Sequence, residues 1–285
     1  MKRIALLGLL CVDHILSAAE STPRVEGYLS KLDTTALSAE FNATSSGVDG
    51  KVVRLSAGDV AIGWQGRRIS CSLLESDGKV WAEKVFPADP DELRQATEVT
   101  ESLKRDTFER GRIVTRGANE LMPIMALWGQ DGKFYLKKDF LGAPLVVNFI
   151  FTRCGNPKMC PASTQCMKKL GDALDANPKL GAVKLITITF DPTYDSPGVL
   201  RMYADGYKVN PQRHRFLTGD KNQVKDLMRH YGILTTEADG TIVHNSAVII
   251  VSPEGRILQR REGSTFDVDD MMTTLETIVS TPTSP

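Results

Sequence analysis

Three apolar runs dominate the C-terminal half of the chain: Leu145-Val146-Val147-Asn148-Phe149-Ile150-Phe151, the stretch from Val183 to Phe190, and Ala247 to Val251. Each is short and rich in β-branched residues, the pattern of a strand covered on both faces. The last is followed by Pro253-Glu254-Gly255 and Arg256 to Arg260, which reads as a hairpin. Helical periodicity fills the gaps. After Pro161, Cys166, Met167, Leu170, Ala173 and Leu174 share one helical face, and Asn177-Pro178 ends the segment. Further helices are expected from Pro197 to about Tyr207, from Lys221 to Tyr231 and from Asp267 to about Val279, with a short strand at Phe216-Leu217. Upstream, Leu121 to Trp128 and Phe134-Tyr135-Leu136 flank the turn Gln130-Asp131-Gly132 as hairpin arms. Strand, helix, strand, helix, hairpin and helix is the order of an α/β sandwich with a central sheet flanked by helices.

The N-terminal half has a different rhythm. Residues 20–50 carry few order signals beyond the turn dipeptide Asp49-Gly50. From Lys51 to Phe86, short strand patterns (Val52 to Leu55, Val60 to Trp64, Ile69 to Leu74, Val80 to Phe86) alternate with Gly-containing turns, which predicts a small antiparallel barrel or sheet. Cys71, Trp64 and Trp81 are expected in its core. Asp89-Pro90-Asp91-Glu92 opens a helix with an N-cap Asp and Pro at the first helical position. That helix runs to about Arg110 before Gly111, and its thin apolar face (Leu93, Val99, Leu103, Phe108) predicts a connecting element. The expected organisation is a signal segment at 1–19, a small β domain at 20–87, a connecting helix and linker at 88–118, an α/β domain at 119–280 and a disordered tail at 281–285.

Composition narrows the function classes. Lys+Arg and Asp+Glu balance at 35 each over 285 residues, so no basic excess points to nucleic acid and no acidic tail points to a charge-driven partner. No interior run reaches the ~18 consecutive apolar residues that a membrane span requires. Lys2-Arg3, the apolar run Ile4 to Val12 and the small residues Ser17-Ala18-Ala19 follow the grammar of an export signal, interrupted by Asp13 and His14. The sequence therefore predicts an exported protein, at the periplasm or outer face of the inner membrane, with membrane association only through this segment. Cys11 lacks the preceding small residue of a bacterial lipid-anchor site.

The chemistry concentrates where the first apolar run breaks into Thr152-Arg153-Cys154-Gly155-Asn156-Pro157-Lys158-Met159-Cys160-Pro161. A strand delivers one thiol at its C-terminal edge and a second thiol opens the next helix, the layout of a thioredoxin-like site. The spacing is C-x5-C, and Gly155, Asn156 and Pro157 let the loop fold back to bring the sulfurs together. The helix N-terminus, Arg153 and Lys158 are expected to favour thiolate at Cys160. His244 precedes the strand Ala247 to Val251, at the place that faces the cysteine loop in a thioredoxin-like fold. Two thiolates and an imidazole suit copper, whereas zinc normally takes a fourth ligand. Met159 is a soft side chain suited to filling a gap, or less readily to ligation. Cys166 reads as core, and His214 and His230, in a loop and at a helix end, as uninvolved.

From about residue 120 to 280 the chain resembles the Sco/SenC family of copper chaperones, which serve assembly of cytochrome c oxidase. The resemblance is carried by Asn148-Phe149-Ile150-Phe151-Thr152-Arg153-Cys154, Cys160-Pro161, Asp191-Pro192-Thr193-Tyr194-Asp195-Ser196-Pro197 and His244-Asn245-Ser246. It implies that Cys154, Cys160 and His244 bind one copper ion, that the loop of Asp191 and Asp195 lies near the metal and supports partner or metal transfer, and that the recipient is a cytochrome c oxidase subunit. The family's usual loop is C-x-x-x-C-P; this chain has two more residues. The β domain lies outside the resemblance and lacks a Met, Trp and His cluster, so no metal is expected there. Two other readings use the same residues. One is a thiol–disulfide oxidoreductase without copper delivery, with a peroxidase as its variant. The other is a non-catalytic binding module with a fixed disulfide.

Overall fold

The computed structural model describes residues 23–44, 49–238 and 241–280. The segments read as an export signal and as a C-terminal tail lie outside these residues.

The first unit is a closed five-stranded barrel, built from β1 (Arg24–Asp33), β2 (Ser38–Ala43), β3 (Lys51–Arg54), β4 (Arg68–Ser76) and β5 (Lys79–Pro87) in the order β1-β2-β3-β5-β4. Its core holds Leu29, Phe41, Val53, Leu55, Trp64, Ile69, Cys71 and Val85, all buried. Three expectations fail here. Residues 20–50 contain two full strands, because β1 and β2 draw their order from pairing with each other and with β4 rather than from a strong local pattern. The segment read as a strand at Val60 to Trp64 is mostly a short helix, α1 (Ala57–Ile62), whose N-cap Ser56 accepts from the Asp59 amide at 3.0 Å. Trp81 is 37% exposed, on the rim of a cleft of about 300 Å³ also lined by Tyr194 and Val199.

Helix α2 (Pro90–Arg110) begins as the sequence dictates, with the Asp89 carboxylate accepting from the amides of Asp91 and Glu92. Its buried side is Ala96, Thr100, Leu103 and Thr107. Leu93 and Phe108, expected on that face, are exposed. The sheet of the second unit contains β6 (Ala126–Gly129), β7 (Phe134–Leu136), β8 (Leu145–Ile150), β9 (Lys184–Thr189), β10 (His214–Thr218), β13 (Ala247–Val251) and β14 (Ile257–Glu262), in the order β14-β13-β8-β9-β10-β6-β7. Strands β8, β9 and β10 run parallel and the outer pairings are antiparallel. One face of the sheet packs on α3 (Cys160–Ala176) and α6 (Val268–Ser280) through Val146, Leu185, Val248, Met167, Leu170 and Leu275. The other packs on α2, α4 (Pro197–Gly206) and α5 (Lys221–His230) through Val147, Phe149, Ile186, Leu103, Leu200 and Leu227. This is the predicted α/β architecture, a thioredoxin-like sheet between helical layers preceded by a small β unit. A two-stranded ribbon absent from the sequence reading, β11 (Thr235–Ala238) with β12 (Thr241–His244), stands apart from the main sheet.

The two buried histidines are more engaged than their sequence context indicates. His214 begins strand β10 rather than a loop, and its Nε2 lies 2.7 Å from Thr187 Oγ1. His230 ends α5, accepts from Arg116 Nε at 2.9 Å and meets Thr107 Oγ1 at 3.0 Å, tying α5 to α2 and to the chain that follows α2. Cys166 is half-buried, with its sulfur 3.9 Å from the Phe266 carbonyl.

Candidate metal centre

Strand β8 is buried at every position, so its register is fixed, and the chain leaves the sheet at a defined point after Ile150. Two residues later Thr152 is fastened: the Asp195 carboxylate accepts from its amide at 3.1 Å and from its hydroxyl. Arg153 turns outward, donating to Asp191 Oδ2 from Nη2 at 2.5 Å and stacking its guanidinium 4.3 Å from the Tyr194 ring centre. Cys154 follows and is partly exposed. The loop then closes on itself. Asn156 Oδ1 accepts from the Lys158 amide at 3.0 Å, its carbonyl accepts from the Met159 amide at 3.1 Å, and the Lys158 carbonyl accepts from Ser264 Oγ at 2.8 Å. Met159 is the half-buried N-cap of α3, and Cys160 is the first helical residue, 1% exposed.

His244 arrives from the far end of the ribbon. Its Nδ1 donates to the Asn245 carbonyl at 2.7 Å, which leaves Nε2 as the lone-pair nitrogen of the neutral ring, 3.6 Å from Cys160 Sγ. The ring packs 4.6 Å from the Phe190 centroid and 6.0 Å from that of Phe151. The Asn245 side chain holds the turn, accepting from the Leu234 amide at 2.7 Å and donating to the Gly232 carbonyl at 3.0 Å.

The ligand atoms of Cys154, Cys160 and His244 thus lie within 4.8 Å of one another. An ion with bonds of about 2.3 Å to each of three donors needs them about 4 Å apart, so small side-chain adjustments close the set. Two sulfurs and one imidazole nitrogen, against two phenylalanine rings, form a soft donor set that fits Cu(I) and, through the imidazole, tolerates Cu(II). Both cysteines are free thiols. Burial pushes the Cys160 thiol up, and the neighbouring Cys154 adds to the rise. This reverses the expectation of a thiolate. The helix N-terminus acts within one turn, but the surrounding hydrocarbon penalises the anion more, and Arg153 is occupied by Asp191. A cation held by Cys154, Cys160 and His244 would supply the missing compensation.

Asp191 and Asp195 reach the site through other residues rather than as donors: Asp191 engages Arg153, and Asp195 engages Thr152 and Thr189. The sequence reading missed Thr152, Asn245 and the rings of Phe151 and Phe190. Phe151, Thr152 and Asn245 lie in the segments that carry the family resemblance, and Phe190 precedes Asp191, but nothing local assigned them these contacts.

A sequence model described as SCO1/SenC matches residues 114–280, well over half of the chain. The chain belongs to the SCO1/SenC family. The SCO1 protein homolog of Bacillus subtilis (strain 168) is 28% identical over 138 residues, 47% of this chain and 69% of the relative. The mitochondrial SCO2 homolog of Mus musculus is 25% identical over 194 residues, 66% of this chain and 69% of the relative. Among solved structures, a SCO1/SenC family lipoprotein from Bacillus anthracis str. Ames superposes with a TM-score of 0.53 at 21% identity, covering 58% of this chain and 99% of that one. BsSco, described as having a disulfide switch and as a member of the Sco family of cytochrome c oxidase assembly proteins, gives 0.51 at 23% identity, over 58% of this chain and 97% of its own. These structural likenesses establish the thioredoxin-like fold of the SCO1/SenC region. The barrel lies outside the matched residues.

Proposed function

We propose that this SCO1/SenC protein is an exported copper chaperone that carries one copper ion on Cys154, Cys160 and His244 and passes it to a cytochrome c oxidase subunit. The observation that carries the reading is the convergence of three soft donors from two distant parts of the chain. Family membership supports the assembly role, since BsSco is described as belonging to the cytochrome c oxidase assembly proteins. The N-terminal Lys2-Arg3, apolar run and Ser17-Ala18-Ala19 support export, and a lipoprotein among the structural relatives is consistent with it. No helix among the described residues is long and apolar enough to cross a membrane.

The chain's own residues divide the work. Cys160 sits dry and fixed at the head of α3, while Cys154 lies on the exposed loop and is the donor open to exchange with an incoming ligand. His244, pinned through Nδ1 to its own turn, offers Nε2 and gives up only its 3.6 Å contact with Cys160 Sγ. Asp191 holds Arg153, so that guanidinium does not compete with the metal. Titration of the reduced protein with Cu(I) against a chromophoric chelator tests this. One equivalent is expected to bind, and His244→Ala is expected to weaken binding at least tenfold. An unchanged affinity in that variant refutes the three-donor site.

The partly exposed Cys154 beside the buried Cys160 favours a second reading, thiol–disulfide exchange. In it the Cys154 thiolate attacks a partner disulfide and releases one partner thiol. Cys160 then resolves the mixed disulfide, so two electrons pass to the partner and a Cys154–Cys160 disulfide remains. His244→Ala separates the two readings, because it spares exchange and removes a metal donor.

A further inference from the structure

We propose that the N-terminal barrel is a working part of the metal centre, its Asp59 acting as a positioning residue that sets the loop holding Thr152 and thereby the placement of Cys154. The inference rests on the metal-binding reading above, and it concerns the unit that the family match leaves out.

The chain of contacts starts where α1 meets α4. Gly58 faces Gly198, in the first turn of α4, at a separation that no side chain allows. A Cβ on Gly58 runs into the Gly198 carbonyl and comes within 2.9 Å of Met202 Cγ, and a Cβ on Gly198 runs into the Asp59 carboxylate. Neither glycine has positive φ. Close approach, not backbone conformation, explains glycine at both positions. Asp59 is 4% exposed. Its Oδ2 accepts from Ser56 Oγ at 2.6 Å and its Oδ1 accepts from Trp64 Nε1 at 3.0 Å, so the carboxylate is built into the barrel and presented to α4. The N-cap of α4, Ser196, makes no side-chain capping bond. The Asp59 carboxylate of the barrel unit therefore sits against the first turn of a helix whose own N-cap side chain makes no capping bond.

From Gly198 the link to the metal donors is short. Pro197 stiffens the step back to Ser196 and Asp195. Asp195 is fully buried, and its carboxylate accepts from the Thr152 amide, the Thr152 hydroxyl and the Thr189 hydroxyl. Asp191, at the other end of the same loop, holds Arg153. Both residues immediately before Cys154 are thus fastened to a loop whose far end is pressed by the barrel unit. Displacing α1 from α4 moves the anchor of Thr152, and a three-donor site is sensitive to such displacement because all its donors must converge on one point.

The test uses the full chain. Gly58→Ala wedges α1 from α4 on the barrel side without touching a donor. Thr152→Val removes the hydroxyl at the other end of the relay at nearly constant volume. Far-UV circular dichroism and a thermal melt verify folding, and where Gly58→Ala does not fold, Asp59→Asn takes its place under the same criteria. In the metal-free reduced protein, each variant is expected to raise the rate of Cys154 alkylation by iodoacetamide at least threefold. In the loaded protein, each is expected to lower Cu(I) affinity at least tenfold and to shift the Cu(II)–thiolate absorption band. The double variant is expected to be no worse than the weaker single variant, because both cut one relay. A folded barrel-side variant with wild-type alkylation rate, affinity and absorption band overturns the proposal, and so do additive effects in the double variant. A wild-type protein that takes up no copper refutes the metal reading instead, and leaves the alkylation result to decide the coupling.

Discussion

Lowering the pH should unfold this protein through two histidines that take no part in the proposed metal centre. His214 and His230 are 1% and 0% exposed. Burial, with Arg215 nearby, pushes His214 down to about 3. Burial, with Arg116, Arg110 and Arg229 nearby and Asp106 only partly opposing them, pushes His230 down to about 4. The ordinary imidazole value is about 6.5. Both folded-state values lie below it, so between these limits the unfolded chain binds more protons. The stabilisation is whole above pH 6.5 and is lost as the pH falls toward 4. At pH 5.0 each neutral histidine has lost about 2 kcal/mol relative to pH 7.5, and the pair about 4 kcal/mol, from 1.36 kcal/mol per unit once the unfolded imidazole is protonated. Asp59 and Asp195, raised by burial, work the other way. They gain protons more readily when folded and return some stability as the pH falls, so the difference between the wild type and a histidine variant isolates the histidine part. Urea unfolding of the metal-free reduced protein in half-unit pH steps, followed by far-UV circular dichroism, measures the loss. His214→Gln, whose amide can reach Thr187, should halve the pH-dependent part to about 2 kcal/mol. An identical slope in the wild type and His214→Gln refutes the reasoning.

Three further outcomes follow from packing and polar satisfaction. Phe41→Ala empties a fully buried site in the barrel and should cost about 3–5 kcal/mol by chemical denaturation. Ser56→Ala removes the α1 cap and one of the two donors to Asp59, and should lower stability by about 1 kcal/mol, read as a fall in Tm. Asn148→Ala strands the buried Ser163 hydroxyl, which donates to Asn148 Oδ1 at 2.8 Å, and should cost about 1–3 kcal/mol in the same urea assay, with Asn148→Leu separating loss of the acceptor from loss of volume.

The α/β sandwich was legible because its strands are covered on both faces and its helices carry one apolar stripe, so the pattern of residues and the pattern of burial coincide. The α2 start at Asp89 and the turn at Gly132 were legible for the same local reason: cap and turn chemistry depend on a few neighbouring residues. The barrel was half legible. Strands β1 and β2 carry polar residues on the outside and gain order only on pairing, and α1 is too short to show a helical period. Trp81 and Phe108 were misplaced because apolar character does not state which side of an element meets a neighbour.

Taken alone, the sequence determined the main strands and helices of the α/β unit, the two thiols on one loop and, by resemblance, the expectation that His244 joins them. These depend on residue type and on order along the chain. Only the tertiary structure decided the protonation of Cys160, the diversion of Arg153 to Asp191, the lone-pair nitrogen of His244 and the contact of the barrel with α4. Each is set by a group distant in sequence, through burial or a single hydrogen bond. Desolvation and directional bonding act across space, and a linear pattern does not record them.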